Sequence, residues 1–246
     1  MKSLACAARA VVMLLCLSAG VTHASVIVSA TRVVFLAQDG DVTVRLSNDD
    51  ARPALVEAWM DKGDIHSTPD KVDVPFLITP PLFRMEPHKD QSLRIIGTPS
   101  TLPLDRESLF WLNVLEIPPK PNTVETRGKN TLQFAIRSRL KFFYRPAHLP
   151  GDPLKAAAAV TWQTAADGTG YVLIAHNPTP YHITFNVLAV TVGGTRYEAD
   201  TGMIEPLGTL RLPIKGLSRS PAGAPVAYYA INDYGATVAY KGSVTP

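Results

Sequence analysis

Thr131-Leu132-Gln133-Phe134-Ala135-Ile136-Arg137-Ser138-Arg139-Leu140-Lys141-Phe142-Phe143-Tyr144-Arg145-Pro146 is the stretch on which the fold turns. Large apolar side chains stand at 132, 134, 136 and 140, with Gln133, Ala135, Arg137, Arg139 and Lys141 between them. Successive side chains of a strand point to opposite faces, so Leu132, Phe134, Ile136 and Leu140 are expected to share one face. By pattern alone this is an ordinary half-buried strand of an antiparallel sheet.

The same kind of pattern extends in both directions. Upstream, residues 26–28, 42–46, 54–59, 92–96 and 108–115 are short, rich in β-branched and aromatic residues, and partly alternating. Turn residues separate them at Asp39-Gly40-Asp41, Ser47-Asn48-Asp49-Asp50, Thr79-Pro80-Pro81 and Ile117-Pro118-Pro119. Downstream, strands are expected at 170–175, 182–187, 209–214, 226–231 and 236–240. No stretch holds a capped helical period; the Ala156–Ala159 run leads into Val160-Thr161-Trp162, which suits a strand. Prolines 146, 150 and 153 make a semi-rigid connection between the two runs. The expected fold is all-β: two immunoglobulin-like β-sandwich domains, residues 25–146 and 147–246, joined by a short linker.

Lys2 and Arg9 precede an apolar run from Ala10 to Val21, and Thr22-His23-Ala24 offers a small-residue cleavage site. The run is short for a bilayer span, so residues 1–24 read as a signal peptide cleaved near Ala24, with no stable membrane insertion of the mature chain. Both cysteines, Cys6 and Cys16, fall inside it, which removes disulfides, thiol catalysis and cysteine-ligated metal from the mature protein. Losing Lys2 and Arg9 takes the net charge from +3 to +1, so no nucleic-acid partner is expected.

Catalytic chemistry finds no anchor. His66, His88, His148, His176 and His182 are scattered without metal-ligand spacing, and there is no nucleophile elbow, P-loop or dinucleotide fingerprint. Neither an enzymatic activity nor a cofactor is expected. Trp59, Trp111 and Trp162 read as core or strand-face residues.

Several stretches, in order and at matching spacing, resemble the periplasmic pilus (fimbrial) assembly chaperones, the PapD-like family. In the first half these are Ala30 to Phe35, Thr79 to Pro87, Asp105 to Val114, Glu116 to Pro119 and Leu140 to Pro146. In the second they are Asn177 to Tyr181, Met203 to Pro206 and Ile231 to Gly235. The lack of a cysteine pair and the few residues before Arg32 favour the short-loop branch. The resemblance implies two immunoglobulin-like sandwiches in an L or boomerang arrangement, a periplasmic location in a Gram-negative bacterium, and pilus subunits and an outer-membrane usher as partners. It also implies that the chain binds, folds and caps subunits by donor-strand complementation, a mode for which such chaperones are a standard example. Mapped residue by residue, it makes Leu132, Phe134, Ile136 and Leu140 the lent strand. Arg32 and Lys141 become the anchor for a subunit's C-terminal carboxylate, and Glu107, Arg145 and Asp233 an interdomain salt-bridge set. The polar segment 120–130 reads as a loop that orders on subunit binding. An exposed apolar edge is also expected to cap itself as a homodimer. The competing reading is a secreted two-domain sandwich that binds a carbohydrate or a surface receptor. Thr79-Pro80-Pro81 is a candidate for a cis peptide.

Overall fold

The structure, a computed structural model, describes residues 26–120, 132–168 and 170–245. The leader expected over 1–24 and, save Lys120, the loop expected over 120–130 lie outside the described residues. Among the described residues, the first half contains nine strands: β1 (Val26–Val28), β2 (Arg32–Leu36), β3 (Asp41–Asn48), β4 (Ala54–Asp61), β5 (Phe76–Thr79), β6 (Leu82–Met85), β7 (Asp90–Gly97), β8 (Ser108–Ile117) and β9 (Ile136–Arg145). They form two sheets, of order β1-β3-β7-β5 and β2-β9-β8-β4-β6. Each strand sends one set of alternate side chains inward, and the two inner faces close over one core. Phe76 sits at its centre, 5.3 Å from Phe35, 5.0 Å from Phe110 and 4.9 Å from Phe142, each edge-on. Fully burying one such ring contributes about 1.5–3 kcal/mol.

Two places where the chain changes sheets shape the edges. β1 pairs with β3, yet after Ser29–Thr31 the chain continues as β2 beside β9 in the other sheet, the pair running parallel. Between β5 and β6 the crossing is made at the cis peptide Thr79–Pro80. Asn48, fully buried, satisfies its amide on the carbonyls of Arg52 (2.9 Å), Met85 (3.4 Å) and Glu86 (3.2 Å), tying the β3–β4 turn to the end of β6.

The second half repeats the architecture with β10 (Thr161–Asp167), β11 (Gly170–His176), β12 (Ile183–Val192), β13 (Thr195–Glu198), β14 (Gly202–Ile204), β15 (Thr209–Ile214), β16 (Pro225–Ile231) and β17 (Thr237–Ser243). The sheets run β10-β11-β15 and β13-β12-β16-β17, with β14 also on β12. Trp162, Phe185 and Tyr228 form its aromatic centre; burial pushes the Tyr228 hydroxyl up to about 12, and that hydroxyl donates to the Ala157 carbonyl at 2.8 Å. Ala156–Ala159 forms a 3-10 turn whose first two alanines join this core before β10 begins at Thr161. Among the described residues no helix is long and apolar enough to cross a membrane.

β9 is shorter than the alternation predicts. Leu132 to Ala135 carry no strand geometry, and the ladder begins at Ile136. The reason is local: β8, the partner on one side, ends at Ile117, and its Glu116 is already opposite Ile136.

Candidate functional site

β9 is flanked unequally. β8 covers it from Ile136 to Tyr144, whereas β2 covers only Lys141 to Arg145. Among the described residues, no strand pairs with the other edge of 136–140. This leaves an unpaired half-strand, with backbone donors and acceptors facing outward at the rim of the first sandwich.

The apolar side chains leading into that edge are exposed: 79% for Leu132, 69% for Phe134 and 48% for Ile136. Leu140 departs from the expectation. It lies on the same side of β9 as Ile136 but is only 6% exposed, packed in the core of its own sandwich. The face is continuous, yet four residues along the strand the domain's own sheet closes over it. Leu140 is therefore a core residue and not an available one.

The open edge stops where β2 starts, and there Arg32 stands directly opposite Lys141. Both cations reach the second domain. Arg32 Nη1 donates to the Ile231 carbonyl at 3.0 Å, and Lys141 Nζ to Thr184 Oγ1 at 3.2 Å. Thr184 and Ile231 are themselves register partners across β12 and β16, so the two contacts fall side by side. Among the described residues, neither cation has an acidic partner within salt-bridge distance. Arg32 Nε is buried with no hydrogen-bond partner. Burial, then the neighbouring Arg32 charge, pulls the Lys141 ammonium below the usual lysine range. Burial also lowers Arg32, against the opposing pull of Asp233 and Glu107. Two adjacent, partly desolvated cations at the end of an open strand edge can take up an anion, and a guanidinium beside an ammonium matches the charge and donor geometry of a carboxylate.

Behind this pair the domains are bolted together. Arg145 at the end of β9 reaches Glu107 at 2.7 Å and Asp233 at 2.7 Å, so the structure brings the three expected charges into one network. Glu107 is buried and belongs to the first domain; Asp233 follows β16 in the second. Burial works against the Arg145 charge, but the bonds from Asp233 and the nearby Glu107 outweigh it and hold the guanidinium firmly charged. The sequence reading missed two participants here. The backbone N–H of His182 donates to Glu107 Oε2 at 2.7 Å, and its ring Nδ1 lies 3.1 Å from the same oxygen. The other is Thr184, the Lys141 partner. Both lie within three residues of the end of the Asn177 to Tyr181 motif, which is the signal that points to them. Gly235, with φ +79°, completes the junction: a side chain there would collide with Thr31 Oγ1.

Among the described residues, no cluster of three or more His, Cys, Asp or Glu side chains is placed to hold a metal ion.

The comparisons agree with this geometry. The N-terminal domain model of the pili and flagellar-assembly chaperone PapD matches residues 25–150, and the C-terminal domain model of the pili assembly chaperone PapD matches residues 155–242. The chaperone protein FimB/FhaD of Bordetella pertussis is 44% identical over 226 residues, covering 90% of this chain and 89% of that one. The probable fimbrial chaperone YadV of Escherichia coli is 39% identical over 87% of this chain and 88% of its own length. A crystal structure of YadV superposes with a TM-score of 0.76 at 36% identity, over 90% of this chain and 100% of that one. A Salmonella enterica structure of the SafB chaperone in complex with the SafA pilin gives a TM-score of 0.74 at 28% identity, over 92% and 99% of the two chains. Matched in both halves and folded as two immunoglobulin-like sandwiches, the chain belongs to the PapD-like family of pilus assembly chaperones.

Proposed function

We propose that the protein chaperones pilus subunits in the periplasm by lending them the open half of β9. Pairing the unpaired edge of 136–140 with a subunit's incomplete sheet supplies main-chain hydrogen bonds, while Leu132, Phe134 and Ile136 enter the subunit's groove. An added strand takes the place that β2 leaves empty. If it ends in a free carboxylate at Arg32 and Lys141, it runs in the same direction as β9, as β2 does. The anchor then sets the register, because a slip of one residue exchanges the two faces. Glu107, Arg145 and Asp233 hold the two domains so that Thr184 and Ile231 stay beside the anchor. The complex is handed on to an outer-membrane usher without catalysis or a cofactor, and residues 1–24 serve to export the chain.

The observation that carries this reading is the stretch 132–136, exposed and apolar, beside a strand edge that ends on two acid-free cations. Co-expression with a pilus subunit tests it: the subunit is expected to co-purify from periplasm with the wild-type chaperone and not with Arg32→Ala. The same exposed edge is free to pair with a second copy of the chain into a dimer in the absence of subunit. Sedimentation should show that dimer at high concentration, and Phe134→Glu should remove it.

A further inference from the structure

The outer face of β9 carries a second arrangement that neither the anchor nor the domain junction uses. Asp61 at the end of β4 is buried, although it is a carboxylate on an outer sheet face. It accepts from Arg139 Nη2 at 2.5 Å, Asn113 Nδ2 at 2.8 Å, Ser67 Oγ at 3.1 Å and its own turn at the Gly63 amide, 2.6 Å. Arg137 closes the ring. It donates twice to Asn113 Oδ1, at 2.9 and 2.7 Å, and to the Ile65 carbonyl at 2.8 Å. Each guanidinium also lies over an indole: Arg137 is 4.7 Å from the Trp59 ring and Arg139 4.3 Å from that of Trp111. Burial pushes the Asp61 carboxyl up, but the bonds from Arg139, Asn113, Gly63 and Ser67 outweigh it and hold it below the usual range.

The place of this network matters. It grips β9 at Arg137 and Arg139, inside the half with only one strand neighbour. From Lys141 onward β2 and β8 hold the strand from both sides. Edge segments paired on one side fray first. A slide of β9 by one residue would turn Arg137 and Arg139 inward, and a slide by two would carry Arg139 away from Asp61.

We propose that Asp61, Asn113, Arg137 and Arg139 are positioning residues that clamp the open half of β9 in register from its outer face. In this way they present Ile136 and the residues before it for capture without touching the subunit. The inference rests on the strand-lending reading above. Removing Asp61 alone leaves both Arg139 and Arg137, which lies 3.7 Å from it, without their carboxylate, whereas removing Arg139 as well leaves only the more exposed Arg137. In Asp61→Asn, exchange of those amides of 136–140 that bond to β8 should quicken about tenfold while 141–145 stay as in wild type, and subunit capture should fall about tenfold. The double variant Asp61→Asn with Arg139→Gln should recover much of both losses. Should Asp61→Asn fail to fold, Arg137→Gln, which leaves the Asp61–Arg139 pair intact, decides on the same two readouts. Exchange that quickens equally in both halves, or capture at the wild-type level, overturns the clamp. Arg32→Ala, run alongside, separates the two ideas. Normal capture by it and by Lys141→Ala together sinks the anchored lending reading, whereas loss of capture by Arg32→Ala beside wild-type capture by Asp61→Asn sinks the clamp alone.

Discussion

Arg32 and Lys141 are register partners across the parallel strands β2 and β9, at the point where the open edge of β9 closes. Two cations at adjacent positions repel each other, and burial adds to the cost of keeping both charged. The pair is therefore a local source of instability in the free protein, which a carboxylate relieves.

Arg32→Ala and Lys141→Ala should each abolish or strongly weaken subunit capture while leaving the fold intact. A hydrogen bond to a charged group contributes about 1.5–3 kcal/mol, roughly ten- to hundredfold in affinity. Co-purification yield, with circular dichroism as the folding control, measures the split. Normal capture by both variants would remove the anchor.

The lowered Lys141 makes capture dependent on pH in one direction. A bound carboxylate favours the ammonium, so affinity is full while Lys141 is protonated in the free protein. It declines as pH rises through the depressed value of the free state. Isothermal titration from neutral into alkaline pH should show this decline, with proton uptake on binding. In Lys141→Arg, whose charge does not titrate in that range, the slope should vanish.

Leu140 and Phe134 should behave in opposite ways, though both belong to the apolar pattern of one stretch. Leu140→Ala opens a cavity in the core and should cost about 2–5 kcal/mol in urea unfolding. Phe134→Glu should leave stability within about 0.5 kcal/mol, because the ring is exposed, yet lose the subunit. Equal destabilisation by the two would mean that 134 is held inside its own domain.

Arg145→Ala leaves the buried Glu107 carboxylate with its His182 contacts but without its guanidinium, and should cost up to about 3 kcal/mol. Its sharper signature is geometric. Small-angle scattering should report a broader spread of domain orientations, with each sandwich still folded. An unchanged scattering profile would deny the network its role at the junction.

Asp61 gives a second pH effect of opposite sense. Its folded value lies below the ordinary carboxylate value, so its contribution to stability is present above the unfolded value, near 3.9 for aspartate. That contribution is lost as pH falls through the folded value. Urea midpoints of wild type and Asp61→Asn should therefore converge as the solution is acidified below about pH 4.

The legible parts of this fold were those written locally. Alternation from 132 to 141 pointed to a strand with two unlike faces, and short β-rich runs placed β1, β3, β4, β7 and β8 to within a few residues. Pattern alone does not say where a strand's neighbours stop. That is why Leu140 shares a face with Ile136 yet lies in the core, and why the strand starts at 136 and not at 132. The ring around Asp61 was illegible for a related reason. Its members come from β4, β8, β9 and a loop, and only the lateral order of the strands makes them neighbours. Asn113, a polar residue in the apolar run Trp111 to Leu115, was the single hint. His182 and Thr184 likewise gain their partners only when the second domain packs on the first.

Hydrogen exchange of the backbone amides from 132 to 140, in the free chaperone and in its complex with a pilus subunit, tests the strand-lending claim most directly. The outward amides of this half-strand should exchange freely alone and become strongly protected in the complex, while those of 141–145 change little. A stable complex in which they exchange as fast as before would contradict it.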